Sequence, residues 1–116
     1  MISRVWRGWT ARADADAYEA FLRDELFPQV RRLGGFRGAH ILRRDAGEEV
    51  EFVTVTRFES LDAVRSFAGD DYETPVIEPR ARHLLSRFED RAEHYETVDV
   101  PAEDASEAMS SERPVD

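Results

Sequence analysis

Three histidines are the side chains of this 116-residue chain best suited to acid–base chemistry near neutral pH. His94 shares a predicted strand face with several apolar residues. It could therefore be a polar group in an apolar cavity, or it could bond to an adjacent glutamate or to backbone at a sheet edge. His40 alternates with Phe36 and Leu42 and could also face an apolar space, whereas His83 falls in a short arginine-rich helix and is expected to be solvated. His94 is therefore the first candidate for a catalytic base.

Tyr72 and Arg7 are the other catalytic candidates. Tyr72 lies in an irregular segment that could cover a cavity, where its hydroxyl could donate to a bound molecule or its ring could simply anchor the loop. Arg7 could stabilise an anion if its strand face looks toward that cavity. If the strand faces the other way, Arg7 would pair with a glutamate on the neighbouring strand.

Aromatic side chains and one histidine are the candidate contacts for a bound substrate. These residues are Trp6, Trp9, His40 and Phe67. Large aromatic residues more often form ordinary core than a ligand cage, so packing is the competing interpretation for the three aromatic members.

Metal and nucleotide chemistry find little support in the sequence. No two histidines stand three or four residues apart, and the run from Glu93 to Glu96 on a strand would send neighbouring side chains to opposite faces. There is no phosphate-binding loop, dinucleotide fingerprint or nucleophile elbow, and the absence of cysteine excludes thiolate chemistry. We predict no metal site.

The elements that must position these side chains centre on a hairpin. Residues 36–44 and 50–59 are rich in β-branched and aromatic residues, which suit a half-buried pleated surface. Gly47 lies between them and can adopt a positive φ without steric cost. An antiparallel β-hairpin is predicted.

Strands and helices alternate on both sides of this hairpin. Asp14 or Asp16 is a candidate cap for the first helix, within which Pro28 should cause a kink near Asp24. Ser60 should cap the second, which Gly69 ends. The other predictions are a strand over residues 2–10, an irregular segment over 70–78, a short helix over 79–85 and a last strand over 88–98.

This order predicts an α+β, ferredoxin-like βαββαβ fold with a four-stranded antiparallel sheet. Both helices would cover one face of the sheet, yet apolar residues occur on both faces of its strands. We therefore expect a homodimer, a dimeric α/β barrel in which two sheets face each other. The domain should span residues 1–98, and residues 99–116 should form an acidic disordered tail.

Composition limits the partners and the compartment. The formal charge of -9 argues against nucleic acid and anionic membranes as partners. All of the basic residues are arginine, which fits either a GC-rich genome or a halophile-like surface. No apolar run approaches a membrane span, and a cytoplasmic location is the default expectation.

Three stretches resemble the antibiotic biosynthesis monooxygenase (ABM) domain superfamily. They are the opening ISRVWRGWT (residues 2–10), FVTVTRFESLDAVRSFAG (52–69) and the closing EHYETV (93–98). The resemblance implies a dimeric α/β barrel with a cavity in each subunit between helices and sheet. In some members of the superfamily a phenol or quinol is oxidised by O₂ without metal or flavin; others degrade haem.

For the cofactor-free reaction the substrate must first become an electron-rich anion, since ground-state O₂ accepts one electron at a time. A base, anion-holding donors and exclusion of water would serve this step. In the haem-degrading branch an asparagine, a tryptophan and a histidine carry the activity. Here those positions hold Arg7 or Trp6, Phe67 and Ile77, so no haem cofactor is expected.

Two functions remain. One is a cofactor-independent monooxygenase-like enzyme acting on a small phenol or quinol. The other is a non-catalytic dimeric barrel that binds an apolar ligand or serves a stress response. A cavity of at least ~300 Å³ with a histidine in reach would favour the enzyme, and a cavity filled by Trp6, Trp9 and Phe67 would favour the binding module.

Overall fold

The computed structural model describes residues 1–102. Within these residues four α-helices and five strands form an α+β domain. Their bounds are β1 Ile2–Ala11, α1 Ala15–Phe21, α2 Phe27–Val30, β2 Phe36–Ala46, β3 Glu49–Phe58, α3 Leu61–Ala68, α4 Pro79–Leu84, β4 Leu85–Phe88 and β5 Glu93–Glu96. The predicted acidic disordered tail covers residues 99–116. Of these, residues 99–102 are exposed, and residues 103–116 lie outside the described part of the chain.

The sheet is antiparallel and follows the predicted ferredoxin-like order. β2 pairs with β3, and β3 pairs with β1. The other edge of β1 carries both β4 and β5. The hairpin is confirmed: β2 and β3 are joined by two residues, of which the first, Gly47, has a φ of +75°.

The last strand differs from the single strand predicted over residues 88–98. β4 begins earlier, at Leu85, and the pairing with β1 is then interrupted. Gly8 pairs with Phe88 and Val5 with Glu93. Residues 89–92 therefore stand opposite only residues 6 and 7 of β1, and the hydrogen-bonded ladder is interrupted between β4 and β5. The fourth strand of the fold is therefore two short strands along one edge.

The first helix widens where Pro28 interrupts it. A π-helical segment, Leu22–Leu26, joins α1 to α2, and the Phe27 N–H bonds to the Leu22 carbonyl five residues back. Since proline lacks an N–H, it cannot bond to the carbonyl of Asp24, and the predicted distortion near that residue is confirmed. Asp14 precedes α1, but its side chain makes no capping hydrogen bond.

The second long helix has the ends that were predicted. The Ser60 hydroxyl accepts from the Ala63 N–H at 3.2 Å, and Gly69 ends α3 with a φ of +89°. An irregular segment, residues 69–78, then leads to α4 and is called the covering segment below.

The helices pack on the face of the sheet formed by even-numbered residues of β1 and β3. Tyr18 of α1 meets Phe52 edge to face, with ring centroids 4.9 Å apart, and Phe58 stacks on Phe67 of α3 at 5.7 Å. The central core is fully buried, and its members include Tyr18, Phe21, Phe52, Phe58 and Val64. The described residues thus share one core, between helices and sheet.

The other face of the sheet is called the open face. The odd-numbered residues of β1 and β3 lie on it, together with His40, Leu42 and Arg44 of β2. Leu42 is 51% exposed and Tyr95 of β5 is 45% exposed. The homodimer that would cover this face remains a prediction.

Candidate active site

A small cavity of about 40 Å³ lies between the sheet and the helices. Its floor comes from β1 and β3, its walls from the first helix and α3, and its cover from the end of the covering segment and α4. The lining residues are Arg4, Trp6, Tyr18, Phe21, Leu22, Leu26, Phe27, Thr54, Thr56, Phe67, Val76, Ile77, Glu78 and Ala81. The lining is mostly apolar, with one arginine and one glutamate.

Arg4 is the buried cation of this cavity, with only 4% of its surface exposed. Its guanidinium donates to the backbone carbonyls of Tyr72 at 3.2 Å and Thr74 at 3.1 Å, and it lies 5.4 Å from the ring centre of Phe67. Within residues 1–102 no carboxylate forms an ion pair with it. Burial lowers the pKa of Arg4 to about 10, so it is still charged at neutral pH.

His94 is the neighbour of Arg4 across the strands. The two residues are paired in the register of β1 and β5, so their side chains emerge on the same face. Both ring nitrogens of His94 are shielded from solvent and have no hydrogen-bond partner among the described residues. Burial lowers the pKa of His94, and the charge of Arg4 lowers it further against an opposing effect of Glu73. The imidazole is therefore neutral at pH 7 and able to accept a proton.

Tyr72 joins these two residues to the covering segment. Its ring meets that of His94 edge to face at 4.9 Å, and the guanidinium of Arg65 lies 5.4 Å from the ring centre. A further backbone bond, from Ala92 N–H to the Glu73 carbonyl at 2.7 Å, holds the segment to the sheet edge. Tyr72 thus lies against His94 with its side chain and against Arg4 with its carbonyl.

The predicted site residues divide between the two faces of the sheet. His94, Tyr72, Trp6 and Phe67 lie on the helix side, and the last two line the cavity. The Trp6 indole N–H donates to the Glu89 carbonyl at 2.8 Å. The sequence patterns therefore named four residues that the fold brings to one region.

Arg7, Trp9 and His40 lie on the open face. Arg7 donates to Glu51 at 2.8 Å, which is the ion pair with a neighbouring strand that the sequence left as the alternative. Arg87 covers the Trp9 ring at 3.9 Å, and Arg57 contacts His40 Nδ1 at 3.1 Å. These three residues are separated from the cavity by the sheet.

Arg4 was not among the candidates named from the sequence. Alternation along β1 already places it on one face with Ile2 and Trp6, so a charged residue within an apolar row was visible. What the pattern could not tell was which face the helices cover. The sequence signal was therefore present but ambiguous.

Clusters of metal-ligating side chains and membrane-spanning helices are both absent from the described part of the chain. Residues 1–102 contain no group of three or more histidine, aspartate or glutamate side chains arranged to hold a metal ion. None of the helices there is long and apolar enough to cross a membrane.

Comparison with solved structures identifies the class of fold. A variant of SnoaB, a cofactor-independent oxygenase from Streptomyces nogalater, matches with a TM-score of 0.58 and 18% identity, over 88% of this chain and 97% of that one. A monooxygenase from the gene ActVA-Orf6 of Streptomyces coelicolor, in complex with nanaomycin D, matches with a TM-score of 0.54 and 15% identity, over 87% and 92%. No protein-family model and no curated protein matches the sequence.

The domain therefore has the ferredoxin-like α+β fold of these two oxygenases. The ferredoxin-like α+β fold predicted from the sequence is confirmed. At these identities the likeness establishes architecture, and activity has to be argued from the site.

Proposed function

We propose that this protein is a cofactor-independent, monooxygenase-like enzyme that oxidises a small phenol or quinol in the cavity between helices and sheet. The observation that carries the proposal is the pairing of a buried cation without a carboxylate, Arg4, with a neutral imidazole without a partner, His94. Two such groups are costly in a purely structural core, and perturbed titratable groups concentrate at functional sites.

In the proposed reaction His94 takes the phenolic proton, and the nearby positive charge of Arg4 stabilises the resulting anion electrostatically, without a direct hydrogen bond to it. The anion passes one electron to O₂, and the two radicals combine to form a carbon–oxygen bond. The O–O bond then breaks: one oxygen stays as the new carbonyl of the quinone. The other leaves as water, taking the ring hydrogen and the proton held by His94. The balance is one phenol and one O₂ giving one quinone and one water.

Other residues would bind and shield the substrate. Trp6 and Phe67 offer aromatic surface, and Tyr72 could donate its hydroxyl to the ring substituents. The two positions that carry a tryptophan and a histidine in haem-degrading relatives hold Phe67 and Ile77 here, so the proposal uses no haem.

A substrate can enter only if the covering segment moves. A cavity of about 40 Å³ holds little more than a water molecule, whereas ligand sites measure roughly 300–1,000 Å³. The segment is irregular and is held by the Arg4 contacts, the Ala92 backbone bond and an exposed ion pair of Glu73 with Arg91. We propose that these contacts open to admit the ring.

Oxygen uptake tests the proposal directly. Purified protein is mixed with hydroquinones and naphthols, each with and without a ring carboxylate, and O₂ consumption is compared with the uncatalysed autoxidation of each compound. We expect uptake above that background, reduced at least about tenfold in His94→Gln, because general bases typically contribute 10²–10⁴. His83→Gln is the matched control, since His83 lies exposed on α4. Uptake equal to autoxidation with every compound would remove the enzymatic assignment.

The small cavity favours a second candidate, a non-catalytic dimeric barrel that binds an apolar ligand. Trp6 and Phe67 do occupy part of the space that a substrate would need. Under this alternative an aromatic ligand would bind and shift the thermal unfolding midpoint, while the O₂ consumption stays at the autoxidation rate.

A further inference from the structure

We infer that Arg4 is the binding site for a carboxylate carried by an aromatic ligand, and that this carboxylate displaces the covering segment from Arg4. The inference deepens the proposed function, on which it rests for the location of the ligand, by naming the substrate class as hydroxylated aromatic acids. It assigns a role to Arg4, which lines the cavity.

Arg4 carries a positive charge that lacks a counter-ion among the described residues. The residue is 96% removed from solvent, so its guanidinium has lost most of its hydration, and within residues 1–102 no carboxylate compensates it. Backbone carbonyls and the ring of Phe67 offer partial compensation through dipole and quadrupole. A ligand group that is permanently ionised would complete the compensation of the Arg4 charge, and a neutral ligand group would not.

The Arg4 guanidinium has the donor geometry that a carboxylate requires. A guanidinium has five N–H groups, and two of the Arg4 groups donate to protein atoms of the described chain. The planar fork matches the two oxygens of a carboxylate, which accept parallel hydrogen bonds. A phenol that arrives neutral offers one oxygen and no charge.

A ligand carboxylate would compete with two backbone carbonyls for the Arg4 donors. The carbonyls of Tyr72 and Thr74 are neutral, whereas a carboxylate carries a full negative charge and accepts two parallel hydrogen bonds from one guanidinium. A ligand carboxylate can therefore replace these carbonyls at Arg4. The exchange releases the covering segment at Tyr72, whose ring lies against His94.

This exchange explains how so small a cavity could accept a ring. The site would stay closed while Arg4 bonds to the covering segment, and it would open when an acid takes those donors. Glu78, which also lines the cavity, would oppose an anion placed beside it, so the carboxylate belongs on Arg4 and the ring among the apolar residues.

Calorimetric titration with two redox-inert probes tests the inference. 2-Naphthoate carries the carboxylate, and 2-naphthamide is its neutral counterpart of the same shape. We expect the full chain to bind naphthoate at least about tenfold more tightly. The preference should disappear in Arg4→Met and persist in Arg12→Met, which removes one positive charge from an exposed residue beside the hairpin turn.

Amide hydrogen exchange on the wild-type protein gives a second measurement that does not depend on the folding of Arg4→Met. Naphthoate should accelerate exchange at the Ala92 N–H, which bonds to Glu73, and at the Thr74 N–H, which bonds to Asp71. Naphthamide should leave both rates unchanged.

Three results would overturn the inference: equal affinity for the two probes, a preference that survives in Arg4→Met, or binding of neither probe. The outcome is separable from that of the oxygen-uptake experiment, because neither probe is oxidised. A naphthoate preference without O₂ uptake would reject the oxygenase and keep the Arg4 site. O₂ uptake without a naphthoate preference would reject the Arg4 carboxylate site alone.

Discussion

At the scale of single residues, the described chain combines two kinds of charged group. Most arginines are exposed and paired with carboxylates, such as Arg43 with Glu19 at 2.7 Å and Arg87 with Glu49 at 3.0 Å. Exposed pairs of this kind contribute little to stability, typically 0–1 kcal/mol. Arg4 and His94 differ because their polar atoms are shielded from solvent and pair with no carboxylate among the described residues. These two side chains are therefore the candidate functional groups.

The lowered pKa of His94 predicts how stability depends on pH. The unfolded imidazole binds a proton near its ordinary value of 6.5, whereas the folded protein binds it only at lower pH. Between these two pH values the unfolded state holds more protons, so stability falls as the pH drops through this window. The groups that act on His94 are Arg4 and Glu73, and Tyr72 packs on its ring.

We expect His94→Phe to remove this part of the acid sensitivity while keeping an aromatic ring against Tyr72. Thermal unfolding followed by circular dichroism between pH 8 and pH 5 should show a smaller loss of midpoint temperature than in the wild type. His83→Gln controls for the loss of one histidine. An equal loss in His94→Phe and wild type would contradict the assignment of His94 as a shielded, neutral group.

At the scale of elements, the turn before β2 comes very close to α3 at Gly35. Gly35 has a φ of +91°, and a Cβ at this position would stand 2.5 Å from the Ala63 Cβ. Its carbonyl also accepts from the Glu59 N–H at 2.8 Å, which ties the start of β2 to the end of β3. The turn therefore needs glycine for both its conformation and its space.

Gly35→Ala should lower the free energy of unfolding by at least about 2 kcal/mol, combining left-handed strain with the clash against α3. Urea unfolding measures the change. Gly34→Ala is the matched control, because its Cβ would meet nothing within 4 Å and its φ is not positive. The control should be neutral or slightly stabilising; a similar loss in both variants would show that the packing against Ala63 is not the cause.

At the scale of the whole molecule, the open face is the side of the sheet that no helix of the described chain covers. It combines exposed apolar groups, including Leu42 and Tyr95, with a charged set in which Glu51 accepts from Arg7 at 2.8 Å and Arg44 at 2.9 Å. Charges that are already satisfied within one chain can be buried at a lower cost than unpaired ones. This composition suits contact with a second copy, as proposed for the dimeric barrel.

Leu42→Glu should convert the expected homodimer into a monomer, because it places an uncompensated charge beside Val53, its cross-strand partner on the open face. Size-exclusion chromatography with light scattering measures the mass. Gln29→Glu, on an exposed position of α2, adds the same charge away from this face and should remain dimeric. A wild-type protein that is monomeric at micromolar concentrations would reject the barrel.

The local signals determined most of the elements. β-Branched and aromatic composition predicted β1 and the hairpin, Ser60 and Gly69 marked the ends of α3, and Pro28 marked the distortion of the first helix. Each of these rests on interactions within a few residues, which a sequence displays directly. The sequence did not predict the break between β4 and β5, because the break depends on the pairing with β1, a strand distant in sequence. Residues 89–92 have only residues 6 and 7 of β1 opposite them.

The sequence by itself determined the order of elements, and hence the ferredoxin-like fold, together with the residue types able to do chemistry. Only the tertiary structure decided which face of β1 the helices cover. That choice placed Arg4 in the cavity and Arg7, three residues later, on the open face. Side-chain alternation fixes which residues share a face, but the direction of that face depends on long-range packing, so chemistry that needs Arg4, Tyr72 and His94 together becomes visible only in the folded chain.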